Sequence, residues 1–395
     1  VKKMDEKIMK KVIGNVLNEI ADNLEFGNAG KNIKIGITTL ESEHGIDNII
    51  AGAEMAQKKD DNLEVLLIGP PNNSSLKTIE AKDLKEAHQN MEKLLDENII
   101  QGAVTMHYNF PIGVSTVGRV VTPGKGRDMF IATTTGTSSS NRVEAMVKNA
   151  IYGIIAAKST GIIAPKVGIL NVDGARQVER ILISLKDSGY KMELAESMRS
   201  DGGHIMRGND LLLGTPDVMV TDSLTGNLLI KMFSAYTTGG SYESIGYGYG
   251  PGIGENYNRN ILILSRASGI PVVANALKFA AEVAKGNISK VAKEEFESSK
   301  NAGINELLVE ATKKKGREID NTDKMPDKEV VTASIAGIDI MELEDAVKEL
   351  LNEGIYAESG MGCTGPIIMV NDQKLIKATE ILNNKGYTAK DNDIC

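Results

Sequence analysis

The sequence predicts an α/β fold: a mostly parallel sheet with helices on both faces, followed by a small C-terminal α+β unit of order βαββα. Three observations carry that expectation. Short apolar runs such as residues 65–68, VLLI, alternate with amphipathic stretches of helical length, as strands buried on both faces do. The alternation resumes after Pro165 with the same spacing. Residues 313–329, KKKGREIDNTDKMPDKE, are nearly all charged or turn-forming and separate this region from a short compact remainder.

In chain order, Met4, Ile8, Val12, Val16, Ile20 and Leu24 recur every four residues, so residues 1–30 read as an amphipathic helix. The main domain is expected over 31–312. Its strands are read at 33–37, 65–68, 103–106, 129–133, 167–172, 218–221 and 261–264. Helices are read at 46–58, 82–95, 143–158, 177–186, 227–235, 274–284 and 305–311. After the linker at 313–329, the unit 330–395 has a strand at 330–335, a helix at 341–351, two strands around the glycine turn SGMGCTGP, and a helix at 373–382.

Composition narrows the function. The 395 residues are 41% apolar and 25% charged, a globular balance. Acidic residues outnumber basic ones, 53 against 45, for a net charge of −8, which disfavours a nucleic-acid partner. No apolar run approaches the ~20 residues of a bilayer helix, so no membrane partner and a cytoplasmic location are expected. The two cysteines, Cys363 and Cys395, form no metal-binding or redox pair. Neither a metal nor another cofactor is anticipated.

Parallel α/β sheets bind ligands at the carboxyl ends of their strands, and two turns there have the chemistry to hold an anion. One follows the 218–221 strand and contains Asp222, Thr225, Gly226 and Asn227. The other, residues 133–141, TTTGTSSSN, includes Ser138 and Ser139 and leads to Arg142. Amides at a helix start favour phosphate; ordinary helix capping explains the same residue types equally well. Neither turn is a P-loop. Cys363 sits between glycines, where a thiol can be presented rather than packed, although a free cysteine is more often a small buried hydrophobe. Of the four histidines, His204 and His107 are the candidates for an acid or base. Residues 239–258, with seven glycines and four tyrosines, read as a mobile lid or a partner-docking loop.

Residues 217–231, DVMVTDSLTGNLLIK, resemble the signature of the PlsX-like phosphate acyltransferases, which are similar in fold to phosphotransacetylases and move an acyl group from a carrier thioester to phosphate. Two motifs of those enzymes are replaced here, by residues 39–45 and 106–113, which points away from a fatty-acyl carrier. With TTTGTSSSNRVEAMVKNAIYG and SGMGCTGP included, the whole chain is similar to the alpha subunits of component C of the glycine, sarcosine and betaine reductase complexes.

That resemblance implies an acetyl thioester on Cys363, released by inorganic phosphate as acetyl phosphate. It implies a thiolase-like component C beta subunit as partner and selenoprotein A as acyl donor, and leaves a homo-oligomer open. The amides of Gly362 and Thr364 are the expected oxyanion donors. The C-terminal unit is expected to fold back so that Cys363 faces the strand ends before Asp222 and Ser138. A coenzyme A dependent phosphate acetyltransferase and a non-catalytic scaffold are the competing expectations.

Overall fold

A computed structural model of the chain describes residues 33–199, 202–312, 326–339, 342–362 and 365–388. The expected N-terminal helix at 1–30, most of the linker, and Cys363, Thr364 and Cys395 lie outside the described residues.

The apolar runs become strands of one twelve-stranded sheet. Its strands are β1 (Ile33–Thr38), β2 (Leu63–Gly69), β3 (Thr78–Glu80), β4 (Gly102–Thr105), β5 (Val114–Val121), β6 (Asp128–Gly136), β7 (Lys166–Leu170), β8 (Glu193–Leu194), β9 (Ile205–Met206), β10 (Val218–Val220), β11 (Gly250–Gly254) and β12 (Ile261–Ile263). Their order is β3-β2-β1-β4-β12-β11-β5-β6-β10-β7-β8, with β9 also paired to β7. Only the pairings β12 with β11, β11 with β5 and β5 with β6 are antiparallel, so the sheet is mostly parallel as expected.

Helices cover both faces. On one lie α1 (Ile46–Lys59), α3 (Arg142–Ser159), α4 (Ala175–Asp187), α7 (Ile270–Lys285), α8 (Ile288–Asn301) and α9 (Ile304–Thr312), joined in one core through Ile49, Val147, Val178 and Leu277. On the other lie α2 (Leu84–Asp96), the short α5 (Gly208–Leu213) and α6 (Ser223–Ala235), whose Met91, Leu211 and Phe233 pack in two further clusters. The remainder of the chain forms β13 (Ala333–Ala336), α10 (Leu343–Asn352), β14 (Ala357–Gly362), β15 (Gly365–Val370) and α11 (Leu375–Asn384). This is the expected βαββα order. Its sheet runs β13-β15-β14 and has its own core, including Leu350, Ile368 and Leu382. Arg180 of α4 reaches it, donating to Glu342 Oε1 and to the Gly386 carbonyl.

The glycine and tyrosine segment corrects the sequence reading. Residues 239–258 were expected to be a lid or docking loop, yet they contain β11, a fully buried strand between β12 and β5. Here the glycines allow close strand packing. At Gly250, with φ of +81°, a Cβ would stand 1.8 Å from the Val117 carbonyl oxygen. Tyr249 is buried, and Tyr247 lays its ring 4.2 Å from the Arg119 guanidinium carbon. A second correction is the start of α6, at Ser223 rather than 227. The Asp222 carboxylate accepts from the Thr225 N–H at 3.0 Å and so caps the helix four residues earlier.

Candidate functional site

β6 and β10 are parallel neighbours, Ala132 beside Val220, so their carboxyl ends lie side by side. Each leads by a polar turn into a helix: β6 into α3 and β10 into α6. The two turns enclose a cavity of about 170 Å³, lined by Thr133, Gly136, Thr137, Ser138, Ser139, Arg142, Ala145, Asn149, Asp222 and Ser223. That is below the 300–1,000 Å³ typical of pockets for drug-sized ligands and suits a small polar species.

The two helix starts give the cavity its electrostatic character. Asn141 Oδ1 accepts from the Glu144 N–H, and Asp222 Oδ1 accepts from the Thr225 N–H. The amides of Arg142 and Val143 on one helix, and of Ser223 and Leu224 on the other, have no intrahelical carbonyl to meet. Both positive dipole ends therefore converge on one small space. Arg142 adds a guanidinium, which rests on Asp222 Oδ2 at 3.0 Å. Asp222 is held twice more, since Thr225 Oγ1 donates to the same oxygen at 2.7 Å.

A buried asparagine ties the turns together. Asn149 Nδ2 donates to the Thr221 carbonyl at 2.9 Å, and its Oδ1 accepts from Ser138 Oγ at 2.7 Å. Behind the lining, Thr221 Oγ1 and Ser115 Oγ are buried without a partner among the described residues, next to Asp222 and opposite Gly136 respectively. Unpaired buried hydroxyls in such a wall call for water or a polar ligand nearby.

Of the residues singled out from sequence, Ser138, Ser139, Arg142 and Asp222 come together around this cavity. Three others sit beside it in packing roles. Thr225 caps α6. Gly226 is pressed against Thr133, whose carbonyl oxygen would lie 1.8 Å from a Cβ at that position. Asn227 Nδ2 donates to the Thr134 carbonyl at 3.2 Å. Gly362 ends β14 opposite Gly365, and the two residues between them are Cys363 and Thr364, outside the described residues.

Neither histidine candidate lines the cavity. His204 precedes β9 and its ring Nδ1 donates to the Ala195 carbonyl at 2.8 Å. His107 follows β4, where its carbonyl accepts from Thr105 Oγ1. Nearby, burial and then the charge of His107 hold the His88 imidazole below its usual pKa. The sequence reading missed Asn149. Its one signal is an amide directly before the apolar run 150–157, AIYGIIAA, at the start of the buried part of the helix, where a polar side chain must find partners.

A second depression, about 380 Å³, lies between α8 and the turn after α4. Its lining includes the carboxylates of Glu294 and Glu297 and no cation, so it does not suit an anion. Among the described residues no group of three or more His, Cys, Asp or Glu side chains could hold a metal ion, and no helix is long and apolar enough to cross a membrane.

Fold and cavity together define an α/β protein with a small polar pocket at the carboxyl ends of two parallel strands. The chain matches the fatty acid synthesis protein family over residues 33–369. It is 59% identical over 382 residues to the glycine/sarcosine/betaine reductase complex component C subunit alpha of Peptoclostridium acidaminophilum, covering 96% of this chain and 99% of that one. It is 24% identical over 228 residues to a phosphate acyltransferase of Thermotoga neapolitana, covering 50% of this chain and 68% of that one. A branched-chain phosphotransacylase from Enterococcus faecalis aligns in structure at 15% identity, with a TM-score of 0.45 over 64% of this chain and 99% of that one. The chain belongs to the fatty acid synthesis protein family, with phosphate acyltransferases among its relatives, and within it to the component C alpha subunits.

Proposed function

We propose that this chain transfers an acetyl group, held as a thioester on Cys363, to inorganic phosphate within a glycine, sarcosine or betaine reductase complex. A thiolase-like beta subunit and selenoprotein A, as acyl donor, are its proposed partners. The observation that supports this reading most is the convergence of two helix N-termini and Arg142 on a cavity of phosphate size.

The Cys363 thiolate attacks the carbonyl carbon of the incoming acetyl group, and the donor's own leaving group departs with the bonding electron pair. A phosphate oxygen then attacks the thioester carbonyl carbon. The tetrahedral oxyanion collapses, the C–S bond breaks, and the thiolate leaves as acetyl phosphate forms. The amides of Gly362 and Thr364 are the proposed donors to that oxyanion. Holding phosphate beside the thioester contributes through proximity, a term worth up to about 7–11 kcal/mol in well-aligned systems. Arg142 is shared between Asp222 and the bound anion, which steadies phosphate without burying its attacking oxygen.

Mass spectrometry after incubation with acetyl phosphate tests the reading directly. An acetyl adduct is expected on Cys363. Cys363→Ser is expected to stay folded and to lose arsenate-dependent breakdown of acetyl phosphate, because a hydroxyl is almost wholly protonated near neutral pH whereas a free thiol of pKa ~8.5 is partly ionised. Full activity in that variant, an adduct on Cys395, or a strict need for coenzyme A would overturn it.

A further inference from the structure

α6 buries Gly226, Ile230 and Phe233 against β5 and β6. Its outer face does not follow the pattern of a surface helix. Leu224, Leu228, Met232 and, just past its end, Tyr236 are 81, 59, 58 and 55% exposed, and they recur every four residues. Single exposed apolar side chains are ordinary, but four in a row along ~18 Å of one helix form a continuous apolar track, which marks a binding surface.

We propose that this track is the docking surface for the chain's own N-terminal segment, residues 4–24. Three segments longer than two residues lie outside the described structure, and they differ sharply in chemistry. Residues 313–325 are mainly charged, and 389–395 are short and polar. Only the first has apolar residues in register with the track: Met4, Ile8, Val12, Val16, Ile20 and Leu24, also four apart. The track and this stripe match in residue type and in spacing.

Geometry and reach agree. When rows of side chains four apart on two helices interdigitate, the axes cross at about −50°, a crossing that engages a few residues from each and so matches the four on α6. Residues 25–32, eight in all and including Gly27 and Gly30, join Leu24 to β1. Extended, eight residues span ~26–29 Å. β1 stands four strand positions from β5 in the sheet order, ~19 Å at the usual strand spacing. Because Ser223 at the start of α6 lines the anion cavity, a segment clasping α6 also bears on how firmly that cavity is held.

The test places p-benzoylphenylalanine at Leu228 in the full chain, an exposed position where the substitution leaves the core alone. After irradiation the product is sized by denaturing electrophoresis and mapped by mass spectrometry. A monomer-sized product joined to a peptide within residues 4–24 is expected. Val12→Asp with Val16→Asp is expected to reduce its yield by about tenfold or more, since each change places a charge in the apolar stripe. A dimer-sized product would assign the track to a second copy and overturn the proposal. So would cross-links mapping elsewhere in the chain, or none.

Discussion

Replacing Gly226 by alanine probes how the anion cavity is built. Gly226 lies in the first turn of α6, buried against the end of β6. A Cβ there would stand 1.8 Å from the Thr133 carbonyl oxygen and 2.9 Å from its carbon. Side-chain carbons are essentially never found within 3.0 Å of such atoms, so helix or strand must yield by at least about 1.2 Å. Backbone, not a flexible side-chain tip, has to move. Alanine is favoured over glycine in a helix by up to ~1 kcal/mol, while overpacking costs ~1–3 kcal/mol or more, so a net loss of about 2 kcal/mol is expected. Thr133 lines the cavity, and a 1 Å misplacement in a catalytic site can cost ~100-fold in rate, so phosphate affinity should fall with stability. Urea unfolding and isothermal titration with inorganic phosphate measure the two effects. An alanine variant with an unchanged midpoint and unchanged phosphate binding would refute the idea that the close approach of α6 to β6 shapes this site.

Arg142→Gln should weaken phosphate binding about tenfold, the effect of losing one charge-assisted hydrogen bond at a half-exposed site, and titration calorimetry reads it. Adding Asp222→Asn should restore part of the loss, because the uncovered carboxylate repels the anion. Asn149→Leu removes the shorter of two hydrogen bonds to the Thr221 carbonyl and the acceptor of the Ser138 hydroxyl, and so unties the two turns; a stability loss of ~1–3 kcal/mol is expected in denaturant unfolding. Asp210 supplies a pH test. Burial raises its pKa, but donation from the Arg207 and Met198 N–H groups and the Ser197 and Thr215 hydroxyls outweighs this and holds the carboxyl below its ordinary value. A depressed folded-state pKa contributes stability above the unfolded value of ~3.9 and loses it as pH falls through the folded one. Asp210→Asn can turn the two hydroxyls around but leaves one backbone N–H facing an amide NH₂. It should cost ~1–3 kcal/mol at pH 7, with the gap to wild type closing as pH drops below about 4.

Most of the fold was legible because buried parallel strands announce themselves as short apolar runs, and residues 65–68 and 218–221 are of that kind. β11 was not legible, because its sequence, GPGIG, has one β-favouring residue, Ile253, among three glycines and a proline. It is a strand because its glycines fit between β12 and β5, a tertiary requirement that no local pattern reports. At the site, Ser138, Ser139, Arg142 and Asp222 could be read from helix-start chemistry, which depends on neighbouring residues alone. Asn149 could not: its value lies in bridging Ser138 and Thr221, 11 and 72 residues away. Thr225 and Asn227 have the polarity of ligands, and only the fold reveals that the Asp222 carboxylate and the Thr134 carbonyl already engage them.

Strand direction explains why the histidine candidates stand apart from the cavity. β1, β2, β3, β4, β12 and β5 run one way, whereas β11, β6, β10, β7, β8 and β9 run the other. The carboxyl ends of β6 and β10 therefore open at the edge opposite to that of β4, where His107 emerges, and His204 enters β9 from its amino end. α6 bridges the two edges. Its start, at Ser223, lines the anion cavity. Just over two turns on, Lys231 Nζ donates to Glu243 Oε1 and Ser265 Oγ, each at 2.6 Å, and Ser265 follows β12. Glu243 is 1% exposed, and a carboxylate so deeply buried needs a counter-charge. The run from Asp217 to Lys231 thus divides its work along one helix: the aspartate end shapes the proposed anion pocket, and the lysine end neutralises a buried carboxylate. That division requires the intervening residues to hold α6 rigid against β6, which makes Gly226 and Ile230 as much a part of the site's construction as Arg142.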